Sequence, residues 1–232
     1  MPYLEIIMLP LLRPRKIDLD ELADIQRKIA KLVICEDRID KLETIAGCDI
    51  SFSRGEKAFA SCVVVDYNSL TPLKEKTIEV RLKFPYIPTF LAFRELEGLL
   101  RAVKGLNADV YMVGAQGVAH PRRAGLACHL GVVLNRPTLG VAKHRLVGSF
   151  EEPPNRKGAY SPLVYEGEVV GAAVRTKENV GLLFVSVGHK LSLKTAIRIA
   201  IETTGKHRLP EPLFLAHQFA TKAMKEANLS PS

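Results

Sequence analysis

The residues able to do chemistry begin with one carboxylate inside an apolar strand. Residues 45–52 read Ile-Ala-Gly-Cys-Asp-Ile-Ser-Phe, in which Ala46, Cys48, Ile50 and Phe52 alternate toward one face. Asp49 therefore points to the other face, with Ile45 and Gly47 before it. A half-buried Asp is costly unless a cation or hydrogen-bond donors satisfy it. A strand-end Asp bonded to a nearby turn is the plainer alternative. Glu95, on the early turns of a helix expected over residues 90–103, is its natural partner. Paired carboxylates offer the hard oxygens that Mg²⁺ prefers, and such an ion can activate water and stabilise a leaving oxygen in phosphodiester cleavage.

The elements that must position these groups follow from periodicity. A helix is expected over residues 17–34, with Asp18 and Glu21 as a capping pair and Leu22, Ile25, Ile29 and Leu32 on one face. After the Asp49 strand, Arg54-Gly55-Glu56 turns the chain into a strand over residues 59–67, whose Cys62-Val63-Val64-Val65 run suits burial on both faces. A third strand alternates Ile78, Val80, Leu82 and Phe84 inward with Glu79, Arg81 and Lys83 outward. Three strands joined by short turns predict an antiparallel meander. Helix and strand then alternate: helix 90–103, strand 110–113, helix 124–134, strand 139–142, and a hairpin of strands 168–175 and 181–187. Two helices close the chain, one opened by Ser192 and one after Pro210-Glu211-Pro212. The fold class expected is α/β, a mixed sheet flanked by helices, formed by residues 1–232 as a single domain.

Composition narrows the partner. Lys and Arg number 33 against 25 Asp and Glu, a formal charge of +8, which suits a polyanion. Trp is absent and aromatics are 6%, so charge and backbone suit the chain better than broad stacking platforms. The four cysteines show no Cys-x-x-Cys spacing and read as free thiols in a reducing compartment. Residues 3–12 are apolar but contain Glu5 and Pro10, with the positive charges after the run, so neither a signal peptide nor a membrane span is expected. The expected setting is cytoplasmic.

Several stretches carry a family resemblance. Gly-Cys-Asp-Ile-Ser-Phe at 47–52, Phe-Pro-Tyr-Ile-Pro-Thr-Phe-Leu-Ala-Phe-Arg-Glu at 84–95, Gln-Gly-Val-Ala-His-Pro-Arg-Arg-Ala-Gly at 116–125, Gly-Val-Ala-Lys at 140–143, Val-Gly-His at 187–189 and Leu-Pro-Glu-Pro with Leu-Ala-His at 209–217 resemble endonuclease V, in order, from about residue 17 onward. The resemblance implies an RNase H-like fold and Mg²⁺-dependent nicking, with Mn²⁺ as the other candidate ion, on the 3′ side of a deaminated base, chiefly deoxyinosine. The partner implied is DNA containing deoxyinosine, or inosine-containing RNA, met by a monomer away from membranes.

By position, Asp49 and Glu95 resemble the family's catalytic, metal-holding carboxylates, Lys143 its active-site lysine and His217 its active-site histidine. A surface lysine and a hydrogen-bonded core histidine on the stripe of Leu213, Ala216 and Ala220 are the respective alternatives. Tyr86, with Ile87 and Pro88, resembles a wedge that enters the duplex beside the damaged base. A tyrosine packed on the core is its alternative. His120, Arg122 and Arg123 open a helix segment where they could hold phosphates, or form a solvated cluster. His189 stands equally as structural or phosphate-facing.

The departures weigh as much as the matches. Where family members read Asp-Gly-Gln-Gly, this chain reads Gly114-Ala115-Gln116-Gly117, so the position implied for a third metal carboxylate is glycine. Asp109 lies too far away to substitute, roughly 15 Å along an extended strand. The family's base pocket is implied to be lined by glycine backbone; Gly125 and Gly140 are retained, whereas Thr89 and Ala115 would narrow it. Two functional classes follow: an active endonuclease, or a nearly inactive binder of inosine-containing nucleic acid on the same fold.

Overall fold

The computed structural model describes residues 17–53 and 55–229, so Arg54 of the expected turn and the apolar residues 3–12 lie outside the described residues. Helix α1 (Leu19–Leu32) begins where Asp18 accepts hydrogen bonds from the backbone N–H groups of Asp20 and Glu21. The meander follows as β1 (Thr44–Phe52), β2 (Lys57–Asp66) and β3 (Pro72–Arg81), paired antiparallel. Next come α2 (Leu91–Val103), β4 (Val110–Val113), α3 (Leu126–Leu134) and β5 (Thr138–Ala142), with β1, β4 and β5 parallel to one another. Strands β6 (Tyr160–Tyr165), β7 (Glu168–Val174) and β8 (Leu183–His189) form an antiparallel set, and α4 (Leu193–Glu202) and α5 (Glu211–Leu229) end the chain. The sheet order is β3-β2-β1-β4-β5-β8-β7-β6.

The expected α/β class and the meander are observed, with one strand more than periodicity indicated. Strand β6 carries Pro162 in its middle, which lacks an N–H for a ladder on both sides and so argues against an interior strand. The structure resolves the conflict by placing β6 at the sheet edge. Helix α3 starts at Leu126, capped by Gly125, so His120, Arg122 and Arg123 precede the helix and do not open it.

The two faces of β1 feed two separate cores. Ala46, Cys48 and Ile50 pack with α1, α2 and α3, while Ile45 joins the cluster beneath α4 and α5. Three cysteines are buried free thiols, and Cys35 is exposed. On the α5 side a Cβ added at Gly47 would stand 2.0 Å from the Pro212 carbonyl oxygen, so only glycine lets the start of α5 lie against β1. Five residues along the helix, about 7.5 Å of rise, then match two residues along the strand, about 6.8 Å. His217 is thereby set opposite Asp49. Among the described residues no helix is long and apolar enough to cross a membrane.

Candidate active site

Asp49 and His217 meet directly, with His217 Nδ1 and Asp49 Oδ2 2.7 Å apart, and the histidine side chain keeps 39% of its exposure while the Asp keeps 17%. This is a rim position facing a carboxylate, and the alternative of a core histidine gives way. The other carboxylate oxygen of Asp49 leans over Gly114, at the end of β4: a Cβ built there would fall 2.4 Å from Asp49 Oδ1 and 3.4 Å from Leu213 Cδ1. Gly114 thus faces Asp49 at close range, and the carboxylate occupies the space that a side chain would use. Glu95, on α2, is 5% exposed. Burial first, then the Asp49 charge, push its carboxyl up to about 8 against the opposing charge of Arg94.

The donor chemistry at this site suits a hard divalent cation, but the arrangement is open. Among the described residues no three His, Cys, Asp or Glu side chains are grouped to hold a metal ion. The backbone that would bring a further carboxylate to Asp49 is Gly114.

Beside Asp49 and His217 lies a cavity of about 440 Å³. One wall is residues 86–89, another is Gly114, Ala115 and Gln116, and Lys143, His144 and Arg145 form the rim after β5. Tyr86 is 69% exposed, while Ile87 packs on the core and Pro88 is exposed, so the tyrosine is presented to solvent and not packed inward. Lys143 is exposed on the rim, its carbonyl accepting from Arg208 Nη2 at 3.3 Å. Thr89 and Ala115 do line the cavity, yet its volume lies within the usual ~300–1,000 Å³ of ligand sites, so the expected narrowing does not close it. Gly125 also lines it. Gly140 does not; an added Cβ there would meet the Ala115 carbonyl oxygen at 2.4 Å, so its role is to let β5 pass under that turn.

The expected phosphate holders are committed inside the chain. His120 is 3% exposed, and its Nε2 lies 2.9 Å from the Thr89 carbonyl oxygen while Nδ1 accepts from the Arg122 N–H at 3.2 Å. Arg122 donates to Thr89 and Gln26 and lies over the Phe90 ring, 4.3 Å from its centroid. Arg123 reaches the other way, pairing with Glu166 at 3.3 Å and Glu168 at 3.0 Å and covering Tyr165. Their geometry is that of packing and anchoring. His189 is 4% exposed, and its Nδ1 accepts from the Ile34 N–H at 3.3 Å.

Sequence reasoning passed over Gln26. It is fully buried on the apolar stripe of α1 beside Leu22, Ile25 and Ile29, donates to the Thr89 carbonyl at 2.9 Å and lines the cavity. One polar residue on an apolar helical face was the available signal.

A mixed sheet with helices on both faces, carrying Asp49 on β1, a second carboxylate within its electrostatic reach at Glu95 on α2, and a cation-rimmed cavity beside Asp49, is the layout of a nucleic-acid hydrolase. The Endonuclease V family model matches residues 27–218. An endonuclease V from Methanothrix thermoacetophila is 48% identical over 204 residues, 88% of this chain and 91% of the relative. The crystal structure of endonuclease V from Streptomyces avermitilis superposes with a TM-score of 0.86 at 34% identity, covering 93% of this chain and 96% of the other. That of Ciona intestinalis endonuclease V, in complex with a 24mer DNA containing an inosine followed by a ribo-adenosine, gives a TM-score of 0.79 at 30% identity over 90% and 98% of the two chains. The chain belongs to the endonuclease V family. It is a nuclease with an RNase H-like fold.

Proposed function

We propose that this chain nicks nucleic acid on the 3′ side of a deaminated base, deoxyinosine in DNA foremost and inosine in RNA as the second substrate class, and acts as a monomer. The observation that carries the reading is the cavity of about 440 Å³ set between the Asp49–His217 pair, Lys143 and an exposed Tyr86. Tyr86, Ile87 and Pro88 part the damaged base from its neighbours, and the cavity receives it. Lys143 holds the scissile phosphate as a point charge, and His217 orients Asp49. Asp49 and Glu95 would hold Mg²⁺, or Mn²⁺, which when bound polarises the phosphoryl oxygen and activates water. The DNA complex of the Ciona intestinalis relative supports this choice of substrate.

Gly114 favours a second reading, a nearly inactive binder of the same nucleic acid, because two carboxylates offset less of the desolvation of a divalent ion than three. An inosine-containing duplex incubated with Mg²⁺ or Mn²⁺, alongside a binding measurement in the same buffer, separates the two. Inosine-dependent nicking that Asp49→Ala abolishes supports the enzyme; retention without a nick supports the binder. Equal treatment of inosine-containing and undamaged duplex defeats both.

A further inference from the structure

The loop that presents Tyr86 is held at its far end by one carbonyl. Three donors from two distant segments converge on the Thr89 oxygen: Gln26 Nε2 at 2.9 Å, His120 Nε2 at 2.9 Å and Arg122 Nη2 at 3.0 Å. The same Nη2 donates to Thr89 Oγ1 at 2.7 Å, and Arg122 Nε donates to Gln26 Oε1. Since a carbonyl only accepts, the Gln26 amide orientation and the His120 tautomer are both set by this contact. Thr89 itself adopts φ +67°, a region that β-branched residues rarely enter and that persists only where surroundings over-determine it. Gln26 is fully buried and His120 nearly so, with the Arg122 guanidinium stacked on Phe90 at the start of α2.

We propose that Gln26, His120 and Arg122 form a clamp on Thr89 that positions residues 86–88, making Gln26 and Arg122 positioning residues for base discrimination. The role rests on the reading of this loop as the element that parts the base from its stack. A loop that must wedge between bases has to be stiff before it meets them, because ordering it on binding would subtract from affinity for the inosine site. The clamp supplies that stiffness from a helix and a turn far away in sequence. It also accounts for a glutamine on the apolar stripe of α1, where leucine would otherwise pack.

The chain contains no tryptophan, so Tyr86→Trp installs a single fluorescent reporter in the loop. In that background Gln26→Leu and the milder Arg122→Lys should both lower the anisotropy of the indole, with melting curves confirming that each variant is folded. With the native tyrosine, either change should reduce the affinity ratio of an inosine-containing duplex over its undamaged counterpart by about tenfold, the scale of one lost hydrogen bond to a charged group. In Tyr86→Ala neither should reduce the ratio further, since the clamp acts through the loop. Unchanged anisotropy in folded Arg122→Lys, or losses that add to that of Tyr86→Ala, would overturn the clamp. If Tyr86→Ala alone leaves the ratio intact, the wedge reading fails, and the indole anisotropy still decides whether the clamp holds the loop.

Discussion

At the scale of single residues the site turns on where the Asp49 carboxylate points. One oxygen meets His217 and the other leans into the space over Gly114, 2.4 Å from where a Cβ would stand. In Gly114→Asp the tip of Asp49 must rotate away, a modest adjustment because the obstacle is a side-chain end and not backbone. The new carboxylate would then face Asp49 across the site. We expect nicking of an inosine substrate to rise by roughly 10² to 10³, the scale of one preorganised electrostatic group. Asp49→Ala in that background should erase the gain. Single-turnover rates with and without the substitution check this, and equal rates would remove Gly114 from the account of activity.

At the scale of elements, the segment between β4 and α3 works as a fastener. Arg122 ties it to α1 and to the Thr89 loop, and Arg123 ties it to the β6–β7 hairpin through Glu166, Glu168 and the Tyr165 ring. The Arg123 side chain is 24% exposed but Glu166 and Glu168 keep 63% and 70% of theirs, so water screens the ion pairs and the Tyr165 ring and carbonyl carry more of the hold. Arg123→Ala should therefore lower stability by about 1 kcal/mol, chiefly through the lost ring and carbonyl contacts. The slope of log affinity against log salt should stay as it was, because a residue already paired with carboxylates releases no phosphate counterions. Denaturant melts and a salt titration of duplex binding test the two halves. A flatter slope with unchanged stability would return Arg123 to the phosphate-holding role its sequence position suggested.

At the scale of the whole molecule, buried imidazoles set a limit on acid tolerance. His129 is fully buried edge-on to Phe93, ring centroids 5.5 Å apart, and among the described residues neither ring nitrogen has a hydrogen-bond partner. Burial first and then His120 push its pKa down to about 3, and His120 and His189, also desolvated, fall to about 4. An unfolded histidine titrates near 6.5. Between that value and the depressed folded ones the unfolded chain binds more protons, so stability falls as pH falls through the window and is unaffected by these groups above it. Each histidine contributes a slope of about 1.4 kcal/mol per pH unit. His129→Leu should reduce the pH dependence of unfolding free energy between pH 6 and 5 by about that amount. Denaturation curves at the two pH values measure it, and an identical dependence in the variant would show that His129 is hydrated or paired.

Much of the sheet was legible because side-chain period reports which face a residue occupies, and that depends only on near neighbours. Alternation placed Ala46, Cys48 and Ile50 in one core and Asp49 opposite, and the meander, both following parallel strands and the closing helices were readable in the same way. Strand β6 escaped because Pro162 is a breaker everywhere except at an edge, and edge position is a property of the assembled sheet. Family resemblance singled out Asp49, Glu95, Lys143 and His217, but periodicity left His217 open as a core residue. Its contact with Asp49 spans 168 residues of chain and depends on the approach of Pro212 to Gly47. Gln26 and Arg122 are 96 residues apart in the chain, yet they bond to each other and both reach Thr89. The sequence by itself determined which residues are apolar, charged or able to bind a cation, and the local period that turns them inward or outward. Tertiary structure alone decided which charges stay exposed and which bond within the protein, because a hydrogen-bond partner is chosen by distance in space, which the spacing along the chain does not carry.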